Sequence, residues 1–335
     1  MRFVRPVATL AALIVSAGAA SAQTNNCPAY DALAPTSVSS VTRDACIKGA
    51  DIFTMLVPQL GNGLAGGNTT PGQGGSLGGF PHFVIAVRAT GAPDAQLPDF
   101  SGVTLRGTGS TPAQNIPLEK KAFGLAAVDA ALGIFGGINL GAGSVGGVDL
   151  LVSASYVPNV SSGGFDVKAD NPLSIGYGVR VGLFDGTAIL PSVGISYLQR
   201  SLPKTTVTAT AGASGSVTIQ DLDLKTSSWR LTASQTLLIL GLNAGYGGDT
   251  YDASTGFSAI VQPGSVTMPL RSVSAKMTRT NWFVGATINL LILKVFGEYG
   301  NVTGGDLTTF NTFGGSNTAA NDSKNYFSAG VRIGF

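Results

Sequence analysis

The last ten residues, YFSAGVRIGF (Tyr326 to Phe335), alternate apolar with small or polar side chains and stop on an aromatic ring. The same alternation runs through LSIGYGVRVGLF: Leu173, Ile175, Tyr177, Val179, Val181 and Leu183 fall on one face, and Ser174, Gly176, Gly178, Arg180 and Gly182 on the other. Val148, Leu150, Val152, Ala154 and Tyr156 stand opposite Gly147, Asp149, Ser153 and Ser155, and Trp282, Val284, Ala286, Ile288 and Leu290 opposite Gly285, Thr287 and Asn289. Successive side chains of a strand point to opposite faces, so a period of two means two different surroundings for the two faces.

What those surroundings are follows from composition. Charged residues make up 11% of the chain, less than half of the usual ~25%, and mean hydropathy is +0.29. Yet residues 23–335 contain no uninterrupted apolar run of the ~18 residues that a helical span needs. A soluble sandwich would show Lys, Glu, Thr and Asp on its outer faces. Here the second face is mostly Gly, Ser and Ala with single charges, which suits a confined lumen, with lipid against the apolar face. The net charge of +2, without a basic stripe, leaves no footprint for nucleic acid.

The fold class that follows is all-β: a transmembrane antiparallel up-and-down β-barrel. The pattern predicts strands at 81–90, 122–135, 147–157, 173–184, 187–199, 226–239, 240–248, 280–290, 292–300 and 325–335, an even number. Short turns alternate with long polar stretches at 91–121, 158–171, 200–225, 248–278 and 301–324. A Thr- and Val-rich segment at 204–222 reads as a further hairpin, either above the membrane or adding two strands. The expected range is ten to twelve strands, with fourteen as the upper bound.

The N-terminal part differs. MRFVRPVATLAALIVSAGAASAQ carries Arg2 and Arg5, a short apolar run from Val7 to Val15, and small residues ending at Ala22. That reads as a cleaved signal peptide over 1–22, too short in its apolar run for a spanning helix. Residues 23–79 form a plug or cap and residues 80–335 the barrel. Ala45, Ile52, Met55, Leu56 and Leu60 recur at helical spacing, with Ser39 or Thr42 as cap, followed by a flexible Gly-rich linker over 61–81. The two cysteines, Cys27 and Cys46, predict a disulfide in an oxidising compartment.

On these residues the chain resembles the bacterial outer-membrane β-barrel family, and the tail of Phe327, Ala329, Val331, Ile333 and Phe335 carries the resemblance. The resemblance implies a porin-like protein in the outer membrane of a Gram-negative bacterium, surrounded by outer-membrane lipid, with that tail as the signal read by the barrel-assembly machinery. An N-terminal plug is similar in layout to fatty-acid-transporter-type barrels with a hatch, and Leu151, Phe184, Leu190, Leu198, Leu238, Phe283 and Phe296 are expected in the lumen. That group's Asn-Pro-Ala signature is missing here, and the chain is short for fourteen strands.

For function, the expectation is passive passage or binding of small solutes, hydrophobic ones among the candidates. The rivals are a closed structural or surface-recognition barrel working through its external loops and, third, a lipid hydrolase. The single histidine, His82, stands on the expected periplasmic rim with no serine assignable to it, so no catalytic residue, metal or cofactor is assigned. Arg88, Asp149, Arg180, Arg230, Lys294, Glu298 and Arg332 are expected lumen charges, paired with one another, with Asp44 or Asp51 of the plug, or with pore water. Lys294 and Glu298, about 13 Å apart along one strand face, each call for a partner on a neighbouring strand. The excess of arginines also admits an eyelet selecting anionic solutes. The Gly-rich stretch at 61–79 lacks the Lys-Ser/Thr ending of a phosphate-binding loop.

Overall fold

A computed structural model describes residues 23–25, 27–28, 33–34, 37–105, 113–141, 143–162, 164–187, 189–262 and 264–335; the expected signal peptide lies outside the described residues. The elements are β1 (Gln23–Asn25), α1 (Val38–Ala65), β2 (Phe83–Ala92), β3 (Phe123–Phe135), β4 (Gly147–Tyr156), β5 (Val160–Ser162), β6 (Phe165–Ala169), β7 (Leu173–Phe184), β8 (Ser192–Ser201), β9 (Thr205–Thr210), β10 (Gly215–Leu237), β11 (Leu240–Val261), β12 (Val266–Leu290), β13 (Leu293–Thr303) and β14 (Lys324–Gly334). Three two-stranded pairings within the connections complete the set.

Ten of these strands, β2, β3, β4, β7, β8 and β10 to β14, pair antiparallel each with the next. The circle closes where the first meets the last, Ile85 of β2 opposite Ile333 of β14. Closure removes every bare edge, which a strand in hydrocarbon cannot tolerate. The 204–222 hairpin adds no strand to the circle, because β9 folds back on the end of β10 beyond the barrel.

Within the barrel the apolar parity points outward: Tyr177 is 65% exposed and Leu150 50%, whereas Arg180 is 3% exposed and Asp149 0%. Trp229 packs edge-on against Tyr246 and Trp282 against Tyr299, and Tyr299 lies tilted against Phe327, an aromatic girdle at one rim. From Trp229 to Leu237 is about 26 Å along β10, or about 20 Å along the axis at the usual ~40° tilt, close to the ~25 Å apolar band of such barrels. The tight turns at Leu238 and Leu291, both at positive φ, lie at the opposite rim with Phe335. Short turns mark the periplasmic end of an outer-membrane-type barrel.

Beyond the girdle the same strands continue. β10, β11 and β12 run 23, 22 and 25 residues, so the stretches 200–225 and 248–278, read from sequence as long polar connections with a hairpin only at 204–222, are largely strand. Their polarity inverts there. Inside β10, Arg230, Ser228 and Thr226 give way to Leu224, Leu222, Ile219 and Val217; inside β12, Asn281 and Arg279 give way to Met277, Ala275 and Val273. A strand leaving lipid for water must exchange its oily and polar faces, and the Thr and Ser of the outer face look like loop in the sequence. A bulge between Gln220 and Asp223 lies beyond this inversion and moves the inward parity of β10 from Leu222 to Ile219. With β1, β5, β6 and β9 these extensions form a curled sheet beyond the girdle, the head.

The head wraps α1. The helix starts at Ser37, whose side chain accepts from Ser40 N at 3.2 Å, not at Ser39 or Thr42. It runs through 61–65, part of the expected linker, with Pro58 inside it, and is about 42 Å long. Ala45, Ile52, Met55 and Leu56 are fully buried. Two glycines let strand aromatics press onto the helix: a Cβ on Gly49 would stand 2.6 Å from Phe257 Cδ2, and one on Gly61 2.7 Å from Tyr251 Cγ. Cys27 and Cys46 are joined, as the sequence predicts, with their Cα atoms 5.6 Å apart.

The chain therefore descends from residues 23–25, paired with 273–275 in the head, through the barrel to the periplasmic start of β2. Val38→Cys, at a position 55% exposed in the head, is expected to react with a membrane-impermeant maleimide on intact cells. Leu238→Cys, on a turn and 97% exposed, is expected to react only after the outer membrane is opened. The reverse pattern would invert the orientation.

Candidate functional site

The centre of the barrel holds the C-terminal end of α1. The last carbonyls of a helix have no partner within it and carry the negative end of its dipole. Three wall arginines meet them: Ala65 O accepts from Arg230 Nη2 at 3.3 Å and Arg200 Nη1 at 3.5 Å, and Gly66 O from Arg88 Nη1 at 2.8 Å. Two carboxylates serve the three arginines. Arg88 Nε lies 2.5 Å from Asp129 Oδ2, Arg200 Nη2 3.9 Å from Asp129 Oδ1, and Arg230 Nη1 2.8 Å from Asp249 Oδ1. A buried cation left alone costs several kcal/mol, so each arginine needs a carboxylate beside it, and the one positive charge in excess of the two carboxylates faces the negative end of the helix dipole.

From Gly66 to Gly79 the chain crosses the lower lumen as a strap fixed to the wall. Asn68 N donates to Glu298 Oε1 at 3.0 Å, Gly74 N to Ser234 Oγ at 2.7 Å, Ser76 N to Asp185 Oδ1 at 2.5 Å and Leu77 N to Asp149 Oδ1 at 3.0 Å. In return, Pro71 O accepts from Arg332 Nη1 at 2.8 Å, and Thr70 Oγ1 accepts from Arg180 Nη1. The stretch expected as a flexible linker is thus tied down by its backbone amides, because each needs an acceptor where water is scarce.

All seven expected lumen charges face inward, with Lys294 half-buried and the other six buried. Arg180 pairs with Asp149, its Nη2 2.7 Å from Oδ2, and Arg230 with Asp249, so these two arginines are committed to carboxylates rather than to the alternative of an anion-selecting eyelet. Glu298 finds Tyr326 OH at 3.3 Å on the neighbouring strand as well as the strap. Lys294 stands opposite Arg332 in register and gains no acidic partner among the described residues, contrary to expectation.

The plug acids do not reach the lumen charges. Asp44 pairs with Lys48 one turn on at 2.5 Å, and Lys48 also donates to Thr104 O. Asp51 accepts from Phe310 N, Asn311 N and Asn311 Nδ2 at 3.0, 2.8 and 2.7 Å, pinning an external loop to α1. Leu151, Leu198, Phe283 and Phe296 do face the lumen, while Phe184 is only half-buried and Leu190 and Leu238 are exposed on turns, where the strand parity that placed them inside has ended. Asp129, Arg200, Asp249 and Tyr326 were missed. The signal for Asp129 was available: it shares the parity of Ala127 and Ala131 in β3.

Burial pushes the Asp51 carboxyl up from 3.8 to about 6, against the three bonds it accepts. Its folded pKa lies above its unfolded one, so the stability it gives is complete below pH ~4 and is lost as pH rises through ~6. The 304–323 loop is expected to resist protease better at pH 4.5 than at pH 7.5, and Asp51→Asn to flatten that difference. His82 stands on the rim that carries the short turns, exposed, its Nδ1 2.9 Å from Gly79 O. Among the described residues, no group of three His, Cys, Asp or Glu side chains is placed to hold a metal, and no helix is long and apolar enough to cross a membrane.

Closed pairing, an apolar outer band with its girdle, and a buried ionic interior define a transmembrane β-barrel of the outer-membrane type. No family model matches the sequence, and no curated protein does. Among solved structures, the attachment invasion locus protein Ail of Yersinia pestis is 12% identical, with 78% of this chain and 100% of that one covered and a TM-score of 0.20. A FadL homologue of Pseudomonas aeruginosa is 9% identical, with 76% and 90% covered and a TM-score of 0.26. OmpT of Vibrio cholerae is 12% identical, with 76% and 97% covered and a TM-score of 0.17. Scores this low leave the class resting on the geometry of this chain.

Proposed function

We propose that this protein resides in the outer membrane of a Gram-negative bacterium as a barrel shut by its own N-terminal segment, and that its working surface is the external head. The observation that carries this reading is the lumen's occupancy: α1 reaches the arginine ring from outside, and the strap fills the path from there to the periplasm. A pore for hydrophilic solutes keeps its lumen open to water, and here the space is taken by the chain's own backbone.

Planar-bilayer recording of the purified full-length protein tests it. The expected result is a membrane without discrete current steps at moderate voltage. Regular ohmic steps from the wild type would overturn the reading and favour solute passage. Passage has one observation of its own, a vestibule of about 390 Å³ at the periplasmic mouth, through which a solute would have to displace the strap to go further.

A further inference from the structure

The vestibule has a chemistry of its own. Lys294 of β13 and Arg332 of β14 lie directly opposite one another in register, and both line it. Arg332 is 4% exposed, and its Nη1 donates to two neutral acceptors, Pro71 O at 2.8 Å and Gln73 Oε1 at 3.3 Å. Among the described residues neither cation lies within ion-pair distance of a carboxylate, in a barrel where Arg88, Arg180 and Arg230 all do.

The one acidic side chain among the described residues of the vestibule wall, Asp185, is already engaged by Ser76 N and Ser76 Oγ, both at 2.5 Å, and by Ser144 Oγ at 3.1 Å, and the carboxylate of Phe335, which also lines it, is within ion-pair distance of neither cation. The next cation above, Arg180, is satisfied by Asp149. Hydroxyls also line the wall, two of them with a backbone amide as donor. Ser234 Oγ accepts from Gly74 N at 2.7 Å and Ser192 Oγ from Gly186 N at 3.0 Å, which leaves each hydroxyl its own proton to donate.

Like charges opposite one another across a strand pair repel, and burial sharpens the cost. A shared anion removes it, since an oxyanion accepts charge-assisted bonds from lysine and arginine together. We propose that Lys294 and Arg332 form a binding site for a small oxyanion, a phosphate or carboxylate group, that enters from the periplasmic mouth. The pair faces the lumen and not the lipid, so the ligand is a free solute and not a lipid headgroup. The site stands whether or not the strap ever moves, and so is independent of the closed-barrel reading.

Titration calorimetry of the full-length protein in an uncharged detergent at low ionic strength, with inorganic phosphate as probe, is expected to show saturable one-site binding. Lys294→Gln is expected to weaken it about tenfold or more, the loss of one charge-assisted bond. Lys294 holds no strap bond, so this variant should fold, and its unfolding midpoint checks that. Arg332→Gln should weaken binding further. No saturable heat with phosphate would overturn the proposal. So would equal affinity in Lys294→Gln and wild type, which would mean an adventitious ion only. Binding of anionic phospholipid vesicles with none of free phosphate would overturn it as well.

Discussion

Arg230→Ala is expected to destabilise the folded protein by about 3–5 kcal/mol, the usual cost of removing one partner of a buried ion pair. The change strands Asp249, fully buried and left with Asn281 Nδ2 at 2.8 Å as its remaining side-chain donor. It also takes a donor from Ala65 O at the end of α1, where the carbonyls have no helical partner. Urea unfolding in detergent, followed by the fluorescence of Trp229 and Trp282, measures the loss. Arg230→Met combined with Asp249→Asn should cost clearly less than the sum of the single changes, because no ion is then left alone. If the double variant is as unstable as the sum, the ring is not acting through charge.

The alternation of Leu173 to Phe184 and its relatives was enough to read ten strands and the direction each face takes, because lipid and lumen impose opposite demands at every second residue. That logic stops at the girdle. Past Thr226 in β10 and Arg279 in β12 the two solvents change places, so a rule that looks for an oily outer face sees only Thr, Ser and Gly and reports loop. Of the head only the 204–222 hairpin was legible, for a physical reason: a strand crossing from lipid to water keeps its period and loses its phase.

The interior was half legible. Charges at lumen parity within the expected strands, such as Asp149, Arg180 and Arg332, were readable from position alone. Asp249 and Arg200 fell one residue beyond strand limits set by the same polarity rule. Which carboxylate meets which arginine depends on the neighbouring strand's register, and the docking of α1 on Arg88, Arg200 and Arg230 has no local signature at all. The strap illustrates the converse: Gly-rich sequence suggests freedom, yet small residues are what let a backbone lie against a wall and give its amides to Glu298, Asp149 and Asp185.

The inversion of polarity divides the molecule into two cores that obey different rules, and Phe257→Ala separates them. Phe257 is fully buried in the head's apolar cluster and packs where Gly49 lets α1 approach. Truncating a buried phenylalanine costs about 3–5 kcal/mol through lost transfer energy and the cavity left behind. That loss falls on a head sealed by water and apolar burial, while the barrel below is sealed by lipid and by its closed ladder. The expected result is a protein whose strands at 200–225 and 248–278 become open to external protease on intact cells, while the barrel keeps its resistance to unfolding in mild detergent. The Cys27–Cys46 bridge should hold the start of α1 near the head even then, since it closes a loop with a sequence separation of 19 residues and limits how far the freed segment can travel. Loss of the barrel together with the head, in one transition at one denaturant concentration, would show instead that α1 couples the two cores through the arginine ring into a single cooperative unit.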